Sequence, residues 1–121
     1  MKKLTEYINL SLSFKTKYID EILQITICEH NKAVGKIRCN IVTHTIEYLK
    51  IDEYNRHSMF ATILLRKLFV ICKESHLITT LNMTMNTRQY ELNKDAIISI
   101  CNKFNCDKTF YDDTVSIVCN I

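Results

Sequence analysis

The chain has 121 residues with a formal net charge of +3, and 47% of its residues are hydrophobic. This length suits one domain over residues 1–121 with a single core, and no apolar stretch is long enough to predict a membrane span. The basic residues are scattered along the chain, so neither charge nor motif favours nucleic-acid binding.

The N-terminal residues and the cysteines give information about the cellular compartment of the protein. Two lysines resemble the start of a signal peptide, but Glu6 and Asn9 interrupt the apolar stretch, so we expect a cytoplasmic protein. The six cysteines contain no C-x-x-C pair, which predicts six free thiols and no metal site. Cys28 and Cys39 lie symmetrically about residues 33–34, which allows them to face each other across a hairpin.

Alternating apolar residues predict three strands in the first third of the chain. The first covers residues 3–14, and residues 15–21 connect it to the second. The second and third, residues 22–30 and 36–43, form a hairpin. Its turn contains Gly35, the single glycine of the chain, where we expect a positive φ.

A fourth strand and a helix follow. Residues 45–51 have apolar side chains on both faces, as expected for a central strand covered on both sides. We expect Glu47 to share a face with Leu49 and Ile51. From Ser58, a plausible N-cap, the apolar residues recur with a helical period.

The last part of the chain is predicted to contain two strands and one helix. Residues 76–85 form a strand, Asn93 caps the helix and Asn105 ends it with a left-handed residue. A turn at residues 111–113 precedes the final strand, residues 114–119. The predicted fold class is mixed α+β, with a central sheet of about six strands and at least two packed helices.

The corner between the fourth strand and its helix is the most informative feature. The first turn of a helix presents N–H groups and a positive dipole end, which bind anions. The run Arg56-His57-Ser58-Met59-Phe60-Ala61 is similar to the Q/R-x-x-G-x-G/A turn of the GCN5-related N-acetyltransferase (GNAT) family. Met59 stands at the first glycine of that motif.

The resemblance extends over residues 20–121 by element order and implies a GNAT-like fold, acetyl-CoA as co-substrate, and a small-molecule or protein amine as acceptor. The residues that it assigns to cofactor binding are Leu49, Ile51, Arg56, Ser58, Met59, Phe60 and Ala61. Residues 100–106 are similar to the family's L-Y-E-K-x-G-F segment. That match places Cys101 at the tyrosine that protonates the departing CoA thiolate. Tyr90 and Tyr111 are alternative proton donors.

Acyl transfer also requires a base, because only a neutral amine attacks the thioester. Glu47 on the central strand is the candidate. The family has two helices before its hairpin and this chain has none predicted there, so the acceptor wall is either shortened or supplied by a second copy or a host protein.

Two alternatives to an active N-acetyltransferase stay open. One is a catalytically inactive GNAT-fold interaction module. The other is an unrelated small α/β protein that shares only the element order. The excess of Ile, Asn and Lys is typical of an AT-rich genome, such as that of a large DNA virus.

Overall fold

The computed structural model describes residues 12–52, 59–76 and 78–121. Seven strands in these ranges form one mixed sheet in the order β1-β2-β3-β4-β5-β7-β6, one strand more than predicted, with three helices. The elements are β1 Leu12–Ile19, β2 Ile22–Glu29, β3 Lys32–Asn40, β4 Thr45–Ile51, α1 Phe60–Ser75, β5 Thr80–Asn86, α2 Thr87–Leu92, α3 Lys94–Lys103, β6 Asn105–Phe110 and β7 Thr114–Asn120.

The core lies between the sheet and α1. Strands β1 to β4 pair antiparallel, β4 and β5 pair parallel, and β7 pairs antiparallel with both β5 and β6. Helix α1 packs on β2, β3 and β4 and contacts α3. Within the described ranges, no helix has the length and apolar character needed to cross a bilayer.

The first strand differs from the prediction. Residues 15–21 were expected to be a connection, but most of them belong to β1, which pairs along its whole length with β2. The turn is only two residues long, and Asp20 adopts a positive φ of 52° there. Thr16, Tyr18 and Ile19 are residue types that favour strands. Their pairing with β2 extends β1 through the segment that was expected to be a connection. Residues 3–11 of the predicted strand lie outside the described part.

Gly35 does not make the hairpin turn, so that prediction is wrong. His30 and Asn31 make it, with φ of 52° and 67°, and Gly35 lies inside β3 without a positive φ. A Cβ on Gly35 would lie 2.6 Å from Ile51 Cδ1 and 3.3 Å from Leu64 Cδ1. The glycine is therefore needed because β4 and α1 pack closely over this point of β3.

Two elements after β5 were not predicted. Helix α2 begins with a capping box between Asn86 and Gln89. Strand β6 begins at Asn105, which was expected to end a helix, and pairs with β7 over all of its residues. Asn93 precedes α3 as predicted, but its side chain makes no cap hydrogen bond; its Nδ2 donates to the Gln89 carbonyl at 3.0 Å.

The cysteine predictions are also corrected. The hairpin turns at His30 and Asn31 rather than at residues 33–34, so Cys28 lies opposite Ala33 and Cys39 opposite Leu23. Cys106 and Cys119 form a disulfide, which overturns the prediction of six free thiols. The physical reason is that β6 and β7 place these two residues directly opposite each other, and β6 was missed.

Candidate functional site

Strands β4 and β5 separate soon after they meet. Their parallel ladder contains only the pairs Thr45 with Asn82 and Ile46 with Met83. From Tyr48 to Ile51, β4 is paired with β3 alone, while β5 stays paired with β7. Because successive residues of a strand direct their backbone groups to opposite neighbours, alternate N–H and C=O groups of this part of β4 face the opening between the strands.

A bulge in β4 marks the point of separation. Arg38 lies opposite Tyr48 and Cys39 lies opposite Ile46, which leaves Glu47 without a cross-strand partner. An extra residue bends its strand and increases the local twist, so the bulge turns β4 away from β5. The bulge also interrupts the alternation of side chains along β4. The prediction that Glu47 shares a face with Leu49 and Ile51 assumed an uninterrupted strand.

The separated strands enclose a cleft of about 330 Å³. One wall is β4 from Ile46 to Ile51, and the other walls come from β5, α2 and the first turn of α1. The residues that these elements contribute are Ala61, Met83, Thr84, Met85, Gln89, Leu92 and Asn93. This volume lies within the range of small-molecule sites, and the lining combines apolar side chains with a carboxylate, an ammonium, a phenol, a hydroxyl and two amides.

One end of the cleft is the start of α1. The Ile63 N–H donates to the Met59 carbonyl at 2.9 Å, so the amides of Ala61 and Thr62, which come earlier, have no acceptor within the helix. Met59 is 44% exposed and does not line the cleft. The first glycine of the motif is therefore replaced by a side chain that leaves the cleft open.

The structure brings together four of the predicted residues. Glu47, Leu49, Ile51 and Ala61 all line the cleft, and Glu47 is exposed there. Phe60 is 7% exposed and belongs to the core, so its side chain is structural. Arg56 and Ser58 lie outside the described residues, and their assignment to cofactor binding stays a prediction.

Cys101 is not brought to the cleft. Its Sγ lies within 4.8 Å of the Sγ atoms of Cys106 and Cys119, beside the strands at the far edge of the sheet. Burial raises the pKa of the Cys101 thiol, and the nearby Lys108 ammonium opposes that rise. The predicted role of Cys101 as general acid therefore has no support from its position.

The cleft contains a different tyrosine from those considered in the sequence. Tyr90 is 6% exposed and packs edge-on against Phe110, and Tyr111 does not line the cleft. Tyr48 does line it, is 38% exposed, and lies next to Glu47 at the bulge. Sequence reasoning missed Tyr48 because uninterrupted alternation assigned it to a covered face.

A buried thiol pair lies behind the bulge. Cys39, opposite Ile46, and Cys72 of α1 are both almost completely buried. The pKa of Cys39 is raised, first by its hydrogen bond to the Cys72 sulfur, then by burial and by the charges of Cys72 and Glu47. That same hydrogen bond lowers the pKa of Cys72. Cys39 therefore remains a protonated core thiol.

Solved structures of acetyltransferases resemble this chain. The ribosomal-protein-S18-alanine N-acetyltransferase of Escherichia coli has a TM-score of 0.67 at 12% identity, over 86% of this chain and 72% of that chain. The IAA acetyltransferase of Bacillus cereus has a TM-score of 0.65 at 10% identity, over 92% and 100%. The PaiA N-acetyltransferase of Thermoplasma acidophilum, solved in complex with coenzyme A, has 0.63 at 14%, over 84% and 62%.

No protein-family model and no curated sequence matches the chain. The structural similarity nevertheless covers most of the chain in each comparison. The protein therefore has the GNAT fold, as the resemblance in the sequence implied.

Proposed function

We propose that the protein binds acetyl-CoA in the cleft between β4 and β5 and transfers the acetyl group to an amine. The observation that carries this proposal is the separation of the two strands after Ile46 and Met83. It leaves an edge of β4 open along one wall of the cleft. A neighbour with the same fold was solved in complex with coenzyme A.

The chemistry of the cleft matches the parts of this ligand. The pantetheine arm of CoA contains two amides, which pair with backbone groups in the way that an added strand does. The open edge of β4 supplies such groups. The apolar side chains of Leu49, Met83 and Met85 surround the arm, and the start of α1 lies at the end where a diphosphate requires N–H donors.

Two adjacent side chains supply the proton transfers. Glu47 accepts the proton of the attacking amine, whose nitrogen bonds to the thioester carbonyl carbon. The carbon–sulfur bond breaks, and the electron pair goes to the CoA sulfur. Tyr48 donates a proton to that thiolate. A backbone N–H of β4 near Leu49 polarises the carbonyl while the charge develops on its oxygen.

The experiment has a binding part and a chemical part. The protein is heated with and without millimolar acetyl-CoA, and a ligand that binds the folded state raises the melting temperature. The protein is then incubated with acetyl-CoA and three amine acceptors, which are spermidine, a lysine peptide and a peptide with a free N-terminus. Mass spectrometry of the acceptors is the readout, since thiol-reactive dyes would also report the protein's own cysteines.

A rise in melting temperature together with an acetylated acceptor is the expected result. No thermal shift and no product would overturn the proposal. Binding without any product would instead favour the alternative function, a CoA-binding interaction module that has lost catalysis. The replacement of the first motif glycine by Met59 is the specific observation behind that second candidate.

A further inference from the structure

The face of the sheet opposite α1 carries two rows of basic residues. Paired residues of neighbouring strands share a face, so the register places two sets side by side. One row contains Lys15, Thr26, Lys36 and Lys50, and the next contains Lys17, Gln24, Arg38 and Tyr48. We call this set of eight residues the basic face. It has five cations and no acidic residue, although the whole chain has a net charge of only +3.

These residues lie away from the core. Gly35, the neighbour of Lys36, faces Leu64 of α1, and Phe14, the neighbour of Lys15, lies under Lys67 of α1 at 5.4 Å. Successive residues of a strand point to opposite sides, so Lys15 and Lys36 point away from the helix. Lys15, Lys17 and Lys50 are exposed, whereas Gln24 and Thr26, the members of the rows on β2, are buried.

The charges of the basic face are not neutralised by the described part of the protein. Among residues 12–52, 59–76 and 78–121, the only ion pair within 4.0 Å joins Lys94 and Glu91. Arg38 donates from Nε to Gln24 Oε1 at 2.8 Å and lies 5.1 Å from the centre of the Tyr48 ring. Neither contact supplies an anion.

This arrangement costs stability, because like charges directly opposite each other on adjacent strands repel. Lys36 and Lys50 form such a pair. Asp52, two residues beyond Lys50, lines a shallow pocket with both lysines but forms no ion pair within 4.0 Å with either of them. A repulsive pair without a structural benefit is typical of a binding surface.

The basic face is continuous with the cleft. Tyr48 and Lys50 belong to both, since each lies in a row and also lines the cleft. A molecule bound along the rows can therefore reach the cleft that contains Glu47. We propose that the basic face docks an acidic polypeptide, which presents its own amine to the cleft; the second clause rests on the proposed function.

Two features favour a polypeptide over a nucleic acid. The cleft chemistry requires a basic aliphatic amine, which proteins carry at the N-terminus and on lysine and which nucleic acids lack. Tyr48 is also the only aromatic side chain in the two rows, and its ring is already covered by Arg38. Single-stranded nucleic acids are bound by several aromatic side chains that stack on successive bases.

The test measures binding directly and does not depend on catalysis. A fluorescent peptide with a free N-terminal alanine followed by eight glutamates is titrated with the protein, and anisotropy is recorded at low and high salt. The matched peptide has glutamine in place of glutamate. We expect the glutamate peptide to bind and the glutamine peptide not to bind. Added salt should weaken the binding of the glutamate peptide, because salt screens exposed charges.

Two double variants locate the surface. Lys15→Gln with Lys17→Gln removes two charges from the basic face, and Lys73→Gln with Lys103→Gln removes two exposed charges from the ends of α1 and α3. The first variant should weaken peptide binding by roughly fivefold, as expected for two exposed ion pairs, and the second by less than twofold. Circular dichroism of both variants checks that each is folded.

Equal effects of the two variants, or equal binding of the two peptides, would overturn the docking proposal. Tighter binding of a single-stranded oligonucleotide than of the acidic peptide would also overturn it. Acetylation of the peptide's N-terminal amine is then followed with acetyl-CoA. If the acidic peptide binds to the basic face but the protein acetylates no amine, the proposal of acetyl transfer is overturned. The proposal of docking on the basic face then still holds.

Discussion

Ile46 of β4 and Met83 of β5 form the last residue pair between these two parallel strands. The bulge at Glu47 follows immediately on β4. The cleft, the open backbone edge and the two candidate proton carriers all begin at this pair. A small irregularity in pairing thus generates the whole candidate site.

Replacement of the candidate base should slow acetyl transfer without unfolding the protein. Glu47→Gln keeps the size and polarity of the side chain but cannot accept a proton, so we expect the rate to fall by about 10²–10⁴. Acetyl-CoA binding should change little. Glu74→Gln, an exposed glutamate at the end of α1, is the matched control, and a similar loss in both variants would remove Glu47 from the mechanism.

A methyl group at Gly35 should disturb both the core and the cleft. Its Cβ would press on Ile51, Ile27 and Leu64 at 2.6, 3.1 and 3.3 Å, and overpacking of this kind costs about 1–3 kcal/mol. Gly35→Ala should therefore lower the free energy of unfolding measured in urea. Lys32→Ala in the same strand should keep the free energy of unfolding within about 0.5 kcal/mol of the wild type. An unchanged free energy of unfolding in Gly35→Ala would contradict the close packing of Ile51 and Leu64 over Gly35.

Sequence patterns predicted the parts of the fold that depend on local periodicity. The bounds of β4 were predicted correctly, and the predicted final strand differs from β7 by one residue. The hairpin and the helix after β4 were also anticipated. Each of these segments has a periodicity that short windows detect.

The remaining features depend on register, that is, on which residues of neighbouring strands lie opposite each other. The sequence of a single segment does not determine this. The bulge at Glu47 arises from the way in which β4 pairs with β3. The disulfide depends on the pairing of β6 with β7. The basic face is the clearest case, because Lys15, Lys36 and Lys50 are scattered in the sequence and become neighbours only across strands. The same reason explains why Tyr48 was missed, whereas Cys101 was chosen because residues 100–106 resemble a segment of the family.

The disulfide should contribute to stability. Cys106 and Cys119 are 13 positions apart, and closing a loop of this size restricts the unfolded chain by about 3 kcal/mol. Cys106→Ser should lose about that amount in urea unfolding, and Cys101→Ser, which leaves the disulfide intact, much less. If a reducing agent destabilises Cys106→Ser as strongly as the wild type, the effect does not come from this bond.

The reactivity of Cys101 should depend on pH in a defined direction. Burial raises its pKa, so the reactive thiolate is scarcer at a given pH than in an unhindered thiol. Alkylation of Cys101 by iodoacetamide, followed by peptide mass spectrometry, should continue to accelerate to a higher pH than alkylation of a cysteine in an unstructured peptide. Lys108→Gln removes the cation that favours the thiolate and should slow the reaction further. A rate that levels off at a lower pH than in the unstructured peptide would contradict this assignment.

Nuclear magnetic resonance of the backbone amides during an acetyl-CoA titration tests the central claim most directly. Ligand bound in the cleft should shift the amide signals of residues 47–51 and 83–85 and slow hydrogen exchange at alternate residues of the first segment. Signals of β1 and β6, far from the cleft in the sheet order, serve as the internal reference. Saturating acetyl-CoA that leaves residues 47–51 unshifted would contradict the account.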